Sequence, residues 1–369
     1  MLEPWLSPVD TKKSIDPSRF PAHALYHRLQ IYETQLPDLS QVRLAIVGVE
    51  PEASDAIRRA WYPLAQTNFH QAVADLGNVR NPNTSFLIPL MKELIISGVI
   101  PVLIGADSNY LSALYAAFLE VVSEINLVVV DERVALSSPP AHGASDTYLN
   151  DIVYHPTYPP FHMGVVGYQI HQTPEVAQSV LSQRNFSAVR LGHARAQPEE
   201  LEPVIRDADL VGFHLSALRA ADCPAVLHPT PSGFSCEEAC QIARYAGMSD
   251  KLKMYGILGY QPGKDDQQLT PQVVAQMLWY FTDGVAHRKQ DFPVSTEGLT
   301  EYVVDLKDLN YILTFWKSKR SGRWWMQVPV KTREKHQRHR LVPCSYEDYK
   351  KATRNEMPDR LLQALRRFP

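Results

Sequence analysis

A chain of 369 residues, 45% hydrophobic and 21% charged, has the composition of a folded globular protein and not of a disordered one, and is long enough for one large domain with a smaller appendage. No apolar run approaches the roughly 18 residues that cross a bilayer, and the opening "MLEPWLSPVDTKKS" lacks a basic segment followed by an apolar one, so a cytoplasmic protein without membrane insertion is expected. The four cysteines form no CxxC pair, which argues against a disulfide framework, and the formal charge of -3 is unevenly spread: residues 301–369 carry 16 Lys and Arg against 8 Asp and Glu, residues 1–300 carry 21 against 32.

That shift in charge sets the expected organisation: an N-terminal extension over 1–41, a main domain over 42–300 and a basic, Trp-rich appendage over 301–369. Along the main domain, "VRLAIVGV" (Val42 to Val49) reads as a strand, "SFLIPLMKELIISG" as a helix and "VIPVLIG" as a strand. "SNYLSALYAAFLEVVSE" follows as a helix and "INLVVVD" as a strand. "HMGVVGY", "FSAVRLGH" and "ADLVGFHLS" continue the strand series. Apolar runs without polar alternation imply strands covered on both faces, hence a three-layer α/β/α fold around a mostly parallel sheet. Ser235 with Glu238 three residues on makes a capping box, with Gly247 as the expected helix stop; Cys236 and Cys240 share one face of that helix. Thr270 and Pro271 open a further helix with Val273, Val274, Met277, Leu278 and Phe281 as its apolar stripe.

The appendage has a different character. "NYILTFWKSKRSGRWWMQV" places β-rich arms around a turn, an expected hairpin that holds Trp316, Trp324 and Trp325. "KTREKHQRHR" reads as a solvated basic loop, and "SYEDYKKATRN" and "PDRLLQALRRF" as short closing helices with Leu361, Leu362, Leu365 and Phe368 facing inward. A basic tail suits an acidic protein partner or the acidic body itself, with nucleic acid as the weakest of the three alternatives.

In parallel α/β sheets the site lies beyond the carboxyl ends of the strands. Those ends read "GADSNY" after 100–104, "DERVA" after 125–130, "AHG" at Ala141 to Gly143, "HLSALRAADCP" after 209–213 and "GILGYQP" at 256–262. Their order and spacing over roughly residues 42 to 292 resemble the arginase, agmatinase and formimidoylglutamase superfamily, the ureohydrolases, and most of all formimidoylglutamase-type proteins. In that family a histidine in "GGDH", two aspartates and a histidine in "DAHxD" and two aspartates in "SFDxD" hold paired manganese ions, whose bridging hydroxide attacks a guanidinium or formimino carbon. Gly105, Asp107, Asp131, Pro224, Gly233, the "DLGN" stretch of Asp75 to Asn78 and the "PSGFSCEEACQIARYAG" helix entry resemble the family's scaffold.

The ligand positions depart from it. Ser108 stands at the first histidine; in "DERVA", Asp131 is kept while Arg133 replaces the histidine and Ala135 the second aspartate. His214 and Ser216 occupy the two aspartate positions, and Gly259 stands at a usual glutamate. Paired divalent ions need several carboxylates and imidazoles, so no resident metal is expected. Asp131 and His214 are the only remnant ligands, with zinc as the metal they would suit, and manganese belongs to the alternative reading. Asp107, His142 and Gly259 are the expected pocket residues. Residues i and i+2 on an extended segment share a side, so Asp131 is expected to pair with Arg133. Ser108 lacks the glycine pattern of a nucleophile elbow, and no GxGxxG or phosphate loop is present. The expectation is a ureohydrolase-fold pseudoenzyme acting as a structural, regulatory or binding protein. The alternative is a formimidoylglutamase-like hydrolase of linear amidine C-N bonds with an altered metal centre. The resemblance also implies a homo-oligomer, trimer or hexamer, and the appendage offers a surface for a protein partner.

Overall fold

The computed structural model describes residues 2–10, 18, 20–66, 72–137, 140, 142–293, 296–328 and 340–367. In chain order the main body comprises β1 (Leu6–Ser7), β2 (Gln30–Ile31), β3 (Val42–Gly48), α1 (Pro51–Trp61), β4 (Ala72–Val79), α2 (Thr84–Ile96), β5 (Ile100–Gly105), α3 (Tyr110–Leu119), β6 (Asn126–Val130) and α4 (Asn150–Val153). It continues with β7 (His162–Tyr168), α5 (Glu175–Gln183), β8 (Ser187–Arg190), α6 (Leu191–Ala196), α7 (Leu201–Arg206), β9 (Leu210–His214), α8 (Cys236–Met248), β10 (Met254–Leu258) and α9 (Leu269–Ala286). Among the described residues no helix is long and apolar enough to cross a membrane.

Ten strands form one sheet in the order β1-β4-β3-β5-β10-β9-β6-β7-β8, with β2 also paired to β4. Every pairing is parallel except β1 with β4. Successive strand residues feed opposite sides. Leu44, Ile46, Val102, Ile104, Val128 and Val130 join one apolar cluster, while Ala45, Val47, Leu103, Leu127 and Val129 join the other. Strands sandwiched by helices therefore have no polar face to show, and the fold is the expected three-layer α/β arrangement. On one side α9 packs against α1 and α8, with Val273, Val274, Met277, Leu278 and Phe281 all buried; on the other α2 packs against α3.

Several local expectations change. The 1–41 segment contributes β1 and β2 to the main sheet. The helix read over 108–124 is shorter, and "FSAVRLGH" divides into β8 and the start of α6. The Ser235 capping box forms, but Gly247 does not stop its helix, which runs to Met248. A Cβ on Gly247 would lie 2.1 Å from the Phe281 carbonyl oxygen, so this glycine serves close contact between α8 and α9.

The appendage is a four-stranded antiparallel sheet, β11 (Leu299–Leu306), β12 (Tyr311–Ser318), β13 (Trp324–Gln327) and β14 (Leu341–Cys344), followed by α10 (Tyr346–Thr353) and α11 (Asp359–Leu365). The β12–β13 hairpin pairs Trp316 with Trp325 across the strands. Leu306, Leu313, Phe315, Trp324 and Leu361 build a separate apolar cluster. Leu362 points outward at 39% exposure, Ala364 taking the inward position, because α11 offers only one narrow face to the sheet. The basic loop over 331–339 and Phe368 lie outside the described residues. Several cations of the appendage pair with carboxylates of the body: Arg323 with Glu202 (3.2 Å), Arg360 with Glu200 (2.7 Å) and Arg367 with Asp207 (3.0 Å).

Candidate functional site

Four neighbouring central strands, β5, β10, β9 and β6, end together. The loop after β5 carries Asp107 and Ser108, Gly259 follows β10, His214 closes β9, and Asp131 follows β6. This is also where the connections diverge, β3, β4 and β5 lying to one side and β6, β7 and β8 to the other. Gly259 has φ +98°, a turn in which a side chain is strained, and it lines the same space as His214.

Asp131 is 2% exposed, and both of its oxygens accept hydrogen bonds. Its Oδ1 accepts from the Ser216 hydroxyl (2.7 Å) and from the Glu132 backbone N–H (2.8 Å), and its Oδ2 accepts from the Tyr148 hydroxyl (2.7 Å). Burial holds the Tyr148 hydroxyl well above its ordinary pKa, helped by the Asp131 charge, so it remains a donor. The Tyr148 ring stacks on the His214 imidazole with centroids 4.2 Å apart. His214 Nδ1 is 3.1 Å from the Ser108 hydroxyl, and Nε2 has no hydrogen-bond partner among the described residues. Burial brings His214 down to about 4, with Asp131 opposing, so the ring is neutral near pH 7.

The expected pairing of Asp131 with Arg133 does not form: Arg133 Nη2 bonds Asp146 Oδ1 at 2.8 Å. The expectation assumed extended backbone, but the strand ends at Val130 and the chain bends at Glu132 and Arg133, sending the guanidinium to a half-buried position over the site. Glu132 is drawn inside instead. It is 2% exposed, its Oε2 has no partner among the described residues, and burial together with Asp131 pushes its carboxyl up to about 8.

Above this cluster is a cavity of about 230 Å³, whose lining includes Asp107, Ser108, Glu132, Arg133, Asp146, His214, Ser216, His228, Gly259 and Gln261. Asp131 lies beneath it. Asp107 Oδ1 also accepts from the Asn109 N–H (2.9 Å) at the entry to α3. Two expected positions lie elsewhere. Ala135 is buried in the apolar cluster on the α2–α3 face, and His142 pairs with Asp151 (2.6 Å) with its side chain 63% exposed. Glu132, Asp146, Tyr148 and Gln261 were not anticipated. Glu132 was visible as the middle charge of "DERVA", whereas nothing in the loop sequence around Tyr148 marks its role. Among the described residues, no group of three or more His, Cys, Asp or Glu side chains is arranged to hold a metal ion.

No protein-family model matches the sequence, and no curated sequence matches it. Solved structures do match the fold. A formiminoglutamase from Trypanosoma cruzi, crystallised with Mn2+, is 18% identical with a TM-score of 0.62 over 69% of this chain and 97% of that one. The formimidoylglutamase of Bacillus subtilis is 14% identical, with a TM-score of 0.59 over 71% of this chain and 98% of that one. The agmatine ureohydrolase of Thermoplasma volcanium is 16% identical, with a TM-score of 0.56 over 72% and 95%. The likeness is one of fold, an arginase-like α/β architecture spanning nearly the whole of those chains.

Proposed function

We propose that this chain is a ureohydrolase-type pseudoenzyme, in which a hydrogen-bonded polar cluster stands where such folds carry a binuclear manganese centre. It acts as a structural, regulatory or binding protein, through the pocket above that cluster or through the appendage. The observation that carries the reading is the engagement of both Asp131 oxygens by protein donors. The carboxylate kept from the ligand pattern already accepts three hydrogen bonds, two of them from hydroxyls. A divalent ion would have to compete with those donors and sit close to the Arg133 guanidinium, with His214 and the exposed His228, which faces Asp146, as the imidazoles lining the pocket. That donor set does not fit a pair of manganese ions.

The decisive experiment is elemental analysis of the purified chain, followed by assays on formiminoglutamate, agmatine and arginine with and without added manganese. The expected result is no stoichiometric manganese and no formamide, urea or ammonia release above an Asp131→Ala, His214→Ala control. Stoichiometric metal, or turnover lost in that control, would overturn the reading. A second reading, hydrolysis of linear amidine C-N bonds at an altered centre, draws support from Glu132 Oε2 and His214 Nε2, which have no hydrogen-bond partner among the described residues and belong to residues lining the cavity. The same substrate panel decides it.

A further inference from the structure

A larger cavity, about 630 Å³, lies at the opposite end of the sheet, between the amino ends of β6, β7 and β8 and the closing helices of the appendage. Its volume is in the range of small-molecule sites. Its floor includes the first residue of each strand: Asn126, which pairs in register with His162, and Ser187 beside them. Gln363 and Arg367 close it from the appendage.

The floor is built from hydrogen bonds that leave acceptors over. Ser187 Oγ donates to Gln363 Oε1 (2.9 Å), so the hydrogen in the 3.0 Å contact between His162 Nε2 and Ser187 Oγ belongs to the imidazole. A neutral His162 then carries a bare acceptor at Nδ1, and that atom has no partner among the described residues. Asn126 Nδ2 donates to the Asp207 carbonyl (3.1 Å), while Asn126 Oδ1 has no partner either. The two side chains are 5% and 2% exposed and both line the cavity.

The walls are acidic. Glu199, Glu200, Asp207, Glu347, Asp348 and Asp359 give six carboxylates, against the three cations Lys351, Arg360 and Arg367. Each cation is already held: Arg360 by Asp348 and Glu200, Arg367 by Asp207 (3.0 Å), Lys351 by Asp359 (3.2 Å); from outside the lining Lys350 pairs with Glu347 and Lys251 with Asp207 (3.1 Å). An anion entering would have to break these pairs. A cation bearing N–H groups meets the exposed Glu199 carboxylate, a net acidic wall and empty acceptors on the floor.

We propose that this cavity binds an organic oligoamine, a flexible chain with two or more N–H-bearing cationic centres. The inference is independent of the Asp131 cluster. Its test is calorimetric titration of the full chain at about 150 mM salt, where exposed charges are screened beyond roughly 8 Å. Spermidine is the probe, and tetramethylammonium supplies charge without N–H donors. The expected result is saturable 1:1 spermidine binding, weakened about tenfold or more by Asn126→Leu and by Glu199→Gln, with no comparable tetramethylammonium binding. Glu199 is exposed, so its variant does not threaten the fold. Glu301→Gln, an equal loss of charge at an exposed residue outside the cavity lining, should leave binding unchanged. No saturable binding, equal binding of tetramethylammonium, or equal weakening by Glu301→Gln would overturn the proposal.

Discussion

The Tyr148 hydroxyl donates to Asp131 Oδ2 over 2.7 Å from a loop 17 residues further along the chain, while the same ring lies flat on His214. Tyr148 thus joins the carboxyl end of β6 to that of β9. Tyr148→Phe keeps the ring stack and removes one donor from a buried carboxylate, so it should lower stability by about 1–3 kcal/mol. Tyr148→Ala also opens a cavity and should cost about 3–5 kcal/mol. Denaturant midpoints measure both, and an unchanged midpoint for Tyr148→Phe would mean that Asp131 does not depend on this hydroxyl.

Glu132 sets a basic limit on stability. Its carboxyl ionises near 4.5 in the unfolded chain and near 8 in the folded one. Between those values the unfolded state binds fewer protons, so the contribution of Glu132 is complete below about 4.5 and is lost as pH rises toward 8. Each pH unit across that window is worth about 1.4 kcal/mol. Glu132→Gln should therefore be nearly neutral at pH 5 and clearly stabilising at pH 8.5. Equal stability differences at the two pH values would show that the carboxyl is not held protonated.

His214 acts on the acid side. The unfolded chain takes up its proton near 6.5 and the folded chain only near 4, so stability is lost as pH falls through that interval. His214→Gln should flatten the acid limb of the stability profile between pH 6.5 and 4 while leaving the basic limb in place. An acid limb of unchanged slope in the variant would assign it to other groups.

The fold was largely legible because its strands are buried on both faces. β3, β5 and β6 show unbroken apolar runs, and their residues divide alternately between the two core clusters. What escaped were effects of one element on another: Gly247 read as a local stop but is required by the approach of Phe281, and Leu362 lost its inward place to Ala364. At the site, Ser108, Asp131, His214, Ser216 and Gly259 could be found because strand ends are marked in sequence. Tyr148 could not, because a loop residue that folds back over 17 positions leaves no periodic trace. The pairing of Asp131 with Arg133 failed for a local reason, the bend at Glu132 and Arg133 just past the end of the strand.

The "DLGN" stretch resembled scaffold, and its role is a buried charge network. Asp75, fully buried, accepts from Arg58 Nε (2.8 Å) and Nη2 (2.9 Å), from the Tyr62 hydroxyl (2.8 Å) and from the Gly77 N–H (2.9 Å). Arg58 Nη1 also donates to Asn78 Oδ1 (2.9 Å), which ties α1 to β4 at the far side of the sheet from β6. Removing one partner strands the other as an uncompensated buried charge. Asp75→Asn or Arg58→Met should therefore each cost about 3–5 kcal/mol, with the double variant costing less than the sum. Additive losses in the double-mutant cycle would show that the two groups do not act as a pair.

The appendage is fastened to the body through Arg206. From the end of α7 its guanidinium lies 4.5 Å from the Trp325 ring centroid, its Nη2 donates to the Trp324 carbonyl (3.1 Å), and its Nε bonds Glu202 (2.8 Å). At 4% exposure these contacts are desolvated, so the cation over the indole and the hydrogen bond to Trp324 each count for more than at a surface. Arg206→Ala should cost about 2–4 kcal/mol, drawn from those two contributions. Arg206→Lys should recover little, because an ammonium cannot serve the ring, the carbonyl and the carboxylate from one planar fork. Three of the six tryptophans belong to the appendage, so tryptophan fluorescence reports its release against circular dichroism of the helices. In Arg206→Ala the fluorescence transition should precede the loss of helix, and cleavage of the appendage by a dilute protease should accelerate. Coincident transitions and an unchanged cleavage rate would mean that the appendage and the body unfold as one unit without need of this contact.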